Sequence, residues 1–181
     1  MLKRTLIAAV AALPLLAIAG YAAAGGQSDL AAVRDATNPY HDIGVARNAG
    51  YTTELALFGT TTTCISNGTE GAMGIHMVSS VDGTLDETHP EALLYEKRND
   101  GSFKLAGVEY IVPQSLWDAA HSSPPSLFGQ TLKLIPEPNR YGIPPFYEIH
   151  AWTEKANPAG DHADFNPRVV CPAAPDRAPA S

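Results

Sequence analysis

Three ionisable residues sit in segments whose other members are apolar or small. Glu109 lies in Gly107-Val108-Glu109-Tyr110-Ile111-Val112, His76 in Met73-Gly74-Ile75-His76-Met77-Val78, and His150 in Tyr147-Glu148-Ile149-His150-Ala151-Trp152. An ionisable group with apolar neighbours on both sides is expected to be at least partly buried. Burial alone is costly, so such a group usually carries a partner, a metal or a chemical task. Two imidazoles and carboxylates converging on one sheet make a hard-to-borderline donor set, suited to Zn, Mn, Fe or Cu. Without a metal the same groups could act as an acid–base pair, with Glu109 the general base. The competing reading is a satisfied polar network that fixes strand register and does nothing more.

A fourth donor follows from hairpin geometry. Asn99-Asp100-Gly101 is a strong turn signal between the strand patterns Ala92 to Lys97 and Ser102 to Val112. A two-residue turn at Asp100-Gly101 sets Ala92 opposite Glu109 and puts Glu96 and Glu109 on one largely apolar face. A turn at Asn99-Asp100 keeps them together, whereas a three-residue turn separates them. Glu96 thus joins His76, Glu109 and His150 as a candidate metal ligand, and Glu148 shares a face with His150 by alternation as a spare.

The other histidines have less support. His41 follows Pro39 at a helix start, where a capping or surface role fits, although it could point into the sheet. His89 and His121 border acidic and Ser-Pro loops, and His162 lies in the polar tract Asp161-His162-Ala163-Asp164. No Gly-x-Ser-x-Gly elbow, Rossmann fingerprint or P-loop occurs.

The elements that must position these groups begin with helix. Ser28 to Ala49 reads as a short helix capped by Ser28, a break at Asn38-Pro39, and a second helix from Tyr40 to Asn48 closed by Gly50. Ile43, Ala46 and Ala49 form its expected buried face. Strand patterns follow at Thr60 to Ile65, Gly74 to Ser79, the hairpin, Thr131 to Ile135 and Phe146 to Thr153, with a short helical turn at Gln114 to His121. Helix first and antiparallel strands afterwards predict an α+β domain: one or two short helices, then a curved sheet or small barrel.

The first 24 residues read as a signal peptide. Lys3 and Arg4 precede an apolar run from Thr5 to Ile18, and Ala22-Ala23-Ala24 supplies small residues for cleavage. A single globular domain is expected over 25–172, and the Pro- and Ala-rich stretch 173–181 reads as a disordered tail. Loss of Lys3 and Arg4 takes the net charge from −7 to −9. So acidic a chain is a poor partner for nucleic acid or anionic membranes. No segment beyond the leader is apolar enough to span a bilayer, and the expected partner is an unidentified small molecule or protein. Cys64 and Cys171 are the two cysteines, and in an exported chain, periplasmic or extracellular, they are expected to form a disulfide.

Several segments together are familiar: Gly71-Ala72-Met73-Gly74-Ile75-His76, Pro90 to Glu96, Gly107-Val108-Glu109-Tyr110, Asn157-Pro158-Ala159-Gly160 and Asn166 to Cys171. With the Tyr40-His41-Asp42 helix start, the chain from about Ala36 to Cys171 resembles a family of exported bacterial proteins. The resemblance implies export and carries no activity or catalytic residue. The tract Asp161 to Phe165 is more polar than the family pattern. Two functional readings remain: an exported protein with a small-ligand or metal site on the concave sheet face, or a non-catalytic envelope or extracellular binding module whose buried His and Glu groups are structural.

Overall fold

The computed structural model, which describes residues 24–172, opens on a helix broken by Pro39. The expected leader (its residues 1–23) and the tail at 173–181 lie outside the described residues. Helix α1 (Ala24–Thr37) gives way at Asn38-Pro39 to a 3-10 turn, Asn38–His41, and then to α2 (Ile43–Asn48). Proline has no N–H to donate and disfavours helix in the residue before it, so the break sits where the sequence places it. The second helix starts later than expected. Asp42 is extended, and its Oδ1 accepts from the backbone N–H of Gly44 at 2.7 Å and Val45 at 3.4 Å, which makes it the N-cap. Of its expected buried face, Ala46 is buried, Ile43 half-buried and Ala49 exposed.

The strands are β1 (Thr53–Glu54), β2 (Cys64–Asn67), β3 (Gly71–Val78), β4 (Ala92–Lys97) and β5 (Phe103–Pro113). After α3 (Gln114–Ala120) come β6 (Ser126–Leu127), β7 (Gln130–Thr131), β8 (Lys133–Ile135) and β9 (Phe146–Ala151). One antiparallel sheet runs β1-β3-β4-β5-β9-β8, with β2 also paired to β3, while β6 and β7 form a separate small ribbon. The fold is α+β, and the sheet is open; the barrel alternative is not realised. The threonine run 60–63 is not strand, because Leu57 and Thr62 close a local turn that Thr60 Oγ1 braces by donating to the Leu57 carbonyl.

The sheet has two unlike faces. Leu30, Val33 and Ala46 from the helices pack on Ile75, Met77, Leu93, Tyr95, Val108, Tyr110 and Ile149. The opposite face presents Ala92, Leu94, Ile111, Phe146 and Trp152, and loops rather than helices cover it, through Tyr141, Phe165 and Val169. By alternation His76, Glu109, Glu148 and His150 all project onto this loop-covered face.

The cover is fastened at its end. Asn166 exchanges backbone hydrogen bonds with Ala72, and Cys171 is bonded to Cys64, 107 residues away, as expected. No helix among the described residues is long and apolar enough to cross a membrane. A long cross-linked loop restrains the unfolded chain, so Cys64→Ser/Cys171→Ser is expected to lose about 2–5 kcal/mol of unfolding free energy in denaturant titration.

Glu91, just before β4, is 5% exposed, and its Oε2 accepts from the Ile111 N–H at 3.0 Å. Burial nonetheless pushes its pKa up to about 7, against an ordinary 4.5. A raised acid pKa favours the fold below pH 4.5, and that advantage is lost as pH rises towards 7. Relative to Glu91→Gln, the wild-type protein should lose on the order of 2–3 kcal/mol of stability across that window. A stability difference that stays flat with pH would refute the assignment.

Candidate metal centre

Cross-strand register brings the group together. Ala92 pairs with Glu109, Glu109 pairs with His150, and His76 stands opposite Leu94 on the neighbouring row. Glu109 and His150 are therefore direct cross-strand neighbours. His76 is two strands away from Glu109, about 9.6 Å between backbones at the usual strand spacing. What lets the side chains meet is Ala92 between them, which is fully buried and offers one methyl group. Any larger residue at 92 would occupy the space the imidazole and carboxylate cross. Two glycines keep the backbones close. A Cβ at Gly107 would lie 2.6 Å from the Ala151 carbonyl, and one at Gly74 would lie 2.6 Å from that of Tyr95, where φ is +92°. Gly74 adjoins the bulge that makes Met73 an extra residue on β3.

His76 Nε2 lies 3.3 Å from Glu109 Oε2, and His150 Nε2 lies 3.9 Å from Glu109 Oε1. The imidazole centroids are 6.0 Å apart with the rings nearly perpendicular. All three side chains are essentially inaccessible. Despite this proximity, both nitrogens of His76, both nitrogens of His150 and Glu109 Oε2 have no hydrogen-bond partner of normal geometry. Five buried polar atoms in one place without partners depart sharply from the usual pattern of buried groups.

Burial is also the main electrostatic influence. It lowers the pKa of His76 to about 3, with further repulsion from His150 and Arg140, and that of His150 to about 3, with Lys133 and Arg140 contributing. Burial thus favours the neutral form of both imidazoles, which leaves one lone pair on each ring for ligation. Glu109 is raised well above the usual carboxylate range, first by burial and then by the Glu148 carboxyl group beside it. Glu148 is itself raised by burial, and Lys133 approaches it at 3.9 Å. Glu148, His150 and Asp164 form a second close group that shares His150 with the first; Asp164 is ion-paired with Lys133.

The structure brings together His76, Glu109 and His150 as expected, with Glu148 adjoining, and leaves Glu96 apart. A β-bulge between Leu94 and Tyr95 restores the shared face despite a three-residue turn, with Arg98 donating to Ser102 at 2.8 Å. However, Glu96 is four residues from Ala92 along β4, about 13 Å. Its carboxylate accepts from Lys155 Nζ at 2.7 and 2.6 Å and from the Val170 N–H at 3.2 Å, so it is a satisfied ion pair.

The remaining histidines are engaged elsewhere. His41 pairs with Glu154 at 3.2 Å, His89 with Asp86, and His121 stacks on Trp117. His162 donates through Nδ1 to the His150 carbonyl at 2.8 Å and stacks on Phe128. Its tract does contribute to the site, through Asp164 rather than the histidine. Tyr141 and Arg140 carry no sequence signal as site residues, because a proline-rich loop has no periodicity that would place its side chains over a sheet, and Met73 on β3 reads as an ordinary apolar strand residue.

Comparison with protein-family models, curated proteins and solved structures gave no match.

The missing hydrogen bonds separate the two readings by the sign of one substitution. In chelated protein, a carboxylate held in a network of partners would cost about 3–5 kcal/mol when broken. A buried carboxyl without a compensating charge carries a penalty that grows as pH rises above its unfolded pKa. Glu109→Gln is accordingly expected to leave the metal-free protein equally stable or more stable at pH 8, measured by chemical denaturation.

Proposed function

We propose that this is an exported metal-binding protein in which His76, Glu109 and His150 hold one divalent transition ion on the loop-covered sheet face. The observation that carries the reading is the set of unpartnered buried atoms. Four imidazole nitrogens and a carboxylate oxygen have no hydrogen-bond partner of normal geometry, yet one donor atom from each of the three residues falls within 4.8 Å of the others. A structural network would satisfy these atoms with each other. A metal ion would take one lone pair from each of the three residues, leaving the second ring nitrogen of each histidine as an N–H outside the coordination.

The donor chemistry fits. Neutral imidazoles and one carboxylate suit Zn, Mn, Fe or Cu, and two histidines with one carboxylate are a set that leaves coordination positions for water or substrate. Tetrahedral coordination with bonds of about 2.0–2.1 Å sets donors about 3.3–3.4 Å apart; the His76–Glu109 separation is 3.3 Å and the His150–Glu109 separation 3.9 Å, so the donors would draw together around an ion. When bound, the ion would act as a Lewis acid. The protein's part is to keep both imidazoles deprotonated by burial, to present Glu109 between them, and to exclude bulk water with Tyr141, Phe165 and Trp152.

Export rests on the leader pattern and the Cys64–Cys171 bridge, which suits an oxidising compartment. The resemblance to exported bacterial proteins points the same way.

Protein purified without chelator from periplasm or medium is expected to contain one equivalent of a transition metal per chain by elemental analysis. Readdition of the metal at about 100 times its dissociation constant should add about 2.7 kcal/mol to stability. His76→Ala and Glu109→Gln should lose that increment, while Glu96→Gln, which breaks only the Lys155 pair, should retain it. Substoichiometric metal with no stabilisation by Zn, Mn, Fe or Cu would sink the reading.

A further inference from the structure

A pocket of about 220 Å³ opens on the loop-covered face beside the His76–Glu109–His150 group. Met73, Lys133, Arg140, Tyr141 and Glu148 line it. Two of these also border the proposed metal site: the Tyr141 ring meets the His76 ring edge-on at 6.5 Å, and Glu148 is the next residue on the His150 face of β9.

Two groups in this pocket have unused capacity. Arg140 places its guanidinium 5.4 Å from the Phe165 ring centre, and among the described residues it forms no ion pair. Tyr141 is 7% exposed, and its hydroxyl reaches only the Met73 sulfur, at 3.8 Å. A thioether is a weak acceptor, so a good donor is left without a good partner. Both residues line the pocket, and a guanidinium without an ion pair together with a hydroxyl without a strong acceptor suits recognition of an oxyanion.

Formal charge narrows the class. Lys133 is already paired with Asp164, whereas Arg140 forms no ion pair among the described residues; a divalent ion at the histidines would add positive charge beside it, and a bound anion would offset both. The volume lies below the roughly 300–1,000 Å³ of pockets for drug-sized ligands, which limits the occupant to a few non-hydrogen atoms.

We infer that this pocket binds a small organic carboxylate beside the metal ion, with Arg140 as the anchoring cation and the Tyr141 hydroxyl as the orienting donor. The inference rests on the metal reading and names the ligand class of that same site. Arg140 and Tyr141 are binding residues, and neither is a metal ligand.

The test uses the full-length exported protein loaded with Co(II), whose visible absorption reports on its surroundings, titrated with acetate and with glycolate. A saturable spectral change is expected, at least about tenfold weaker in Arg140→Gln and weaker also in Tyr141→Phe. Arg140→Gln should still take up one Co(II), and the acids should not raise the thermal midpoint of chelated protein. Equal acetate affinity in wild type and Arg140→Gln would overturn the inference. So would tighter binding of inorganic phosphate than of acetate, or acetate stabilisation of the chelated protein. Absence of a cobalt spectrum before any acid is added would instead overturn the metal reading, and this inference with it.

Discussion

The carboxyl group of Glu109 is shut inside the protein with no lysine or arginine paired to it, and the features around it follow from that. Its close ionisable neighbours are two imidazoles that burial keeps neutral and a second carboxyl group, Glu148. None of these is a cation, although the two carboxyl groups lie close enough to share a proton. An isolated carboxylate in so dry a place is driven to bind a proton or a cation. Meanwhile the sheet commits three strands, a fully buried alanine at 92 and glycines at 74 and 107 to holding these groups together. Such an arrangement spends conformational freedom on an unfavourable electrostatic contact, which makes sense when the charge that completes the site comes from outside the chain.

The two-faced sheet explains why the site is where it is. The helical face is filled by interlocking aliphatic and aromatic side chains, where an unpaired polar group would have no route to any ligand. The loop-covered face is closed by segments that end in the Cys64–Cys171 bridge and the Ala72–Asn166 pairing. Loops tied at one end can cover a site without the repetitive packing that a helix imposes. They also bring Arg140, Tyr141 and Asp164 over the strands from regions remote in sequence. The helix-packed core and the ionisable group are thus divided between opposite faces of one sheet.

Much of this could be read from the residues themselves. His76, Glu109 and His150 announced their burial through apolar neighbours, and strand alternation placed them on a face. The register of Ala92 against Glu109 followed from hairpin geometry, although the turn is longer than the shortest option and a bulge makes up the difference. Glu96 shows where such reasoning stops: alternation assigns a face, but reach depends on distance along the strand, and Lys155 lies too far away in sequence to be foreseen. The delayed start of α2 has a local cause, the side chain of Asp42, which competes with the preceding tyrosine and histidine for the first turn. Arg140 and Tyr141 were illegible because loop conformation depends on tertiary contacts that no periodicity encodes.

The contrast between Glu96 and Glu109 bears on what the unpaired atoms mean. Both are glutamates on buried strands of the same face. Glu96 receives two hydrogen bonds from Lys155 and one from a backbone amide, a complete solution to burying a carboxylate. His41 with Glu154 and Lys133 with Asp164 are further cases in which this chain matches charge with charge. Glu109 is left without a matching charge at the point where three potential ligands meet. Among the described residues five of the seven unpartnered buried side-chain atoms belong to that constellation, and the other two, Thr153 Oγ1 and Glu154 Oε1, lie on adjacent residues just past β9.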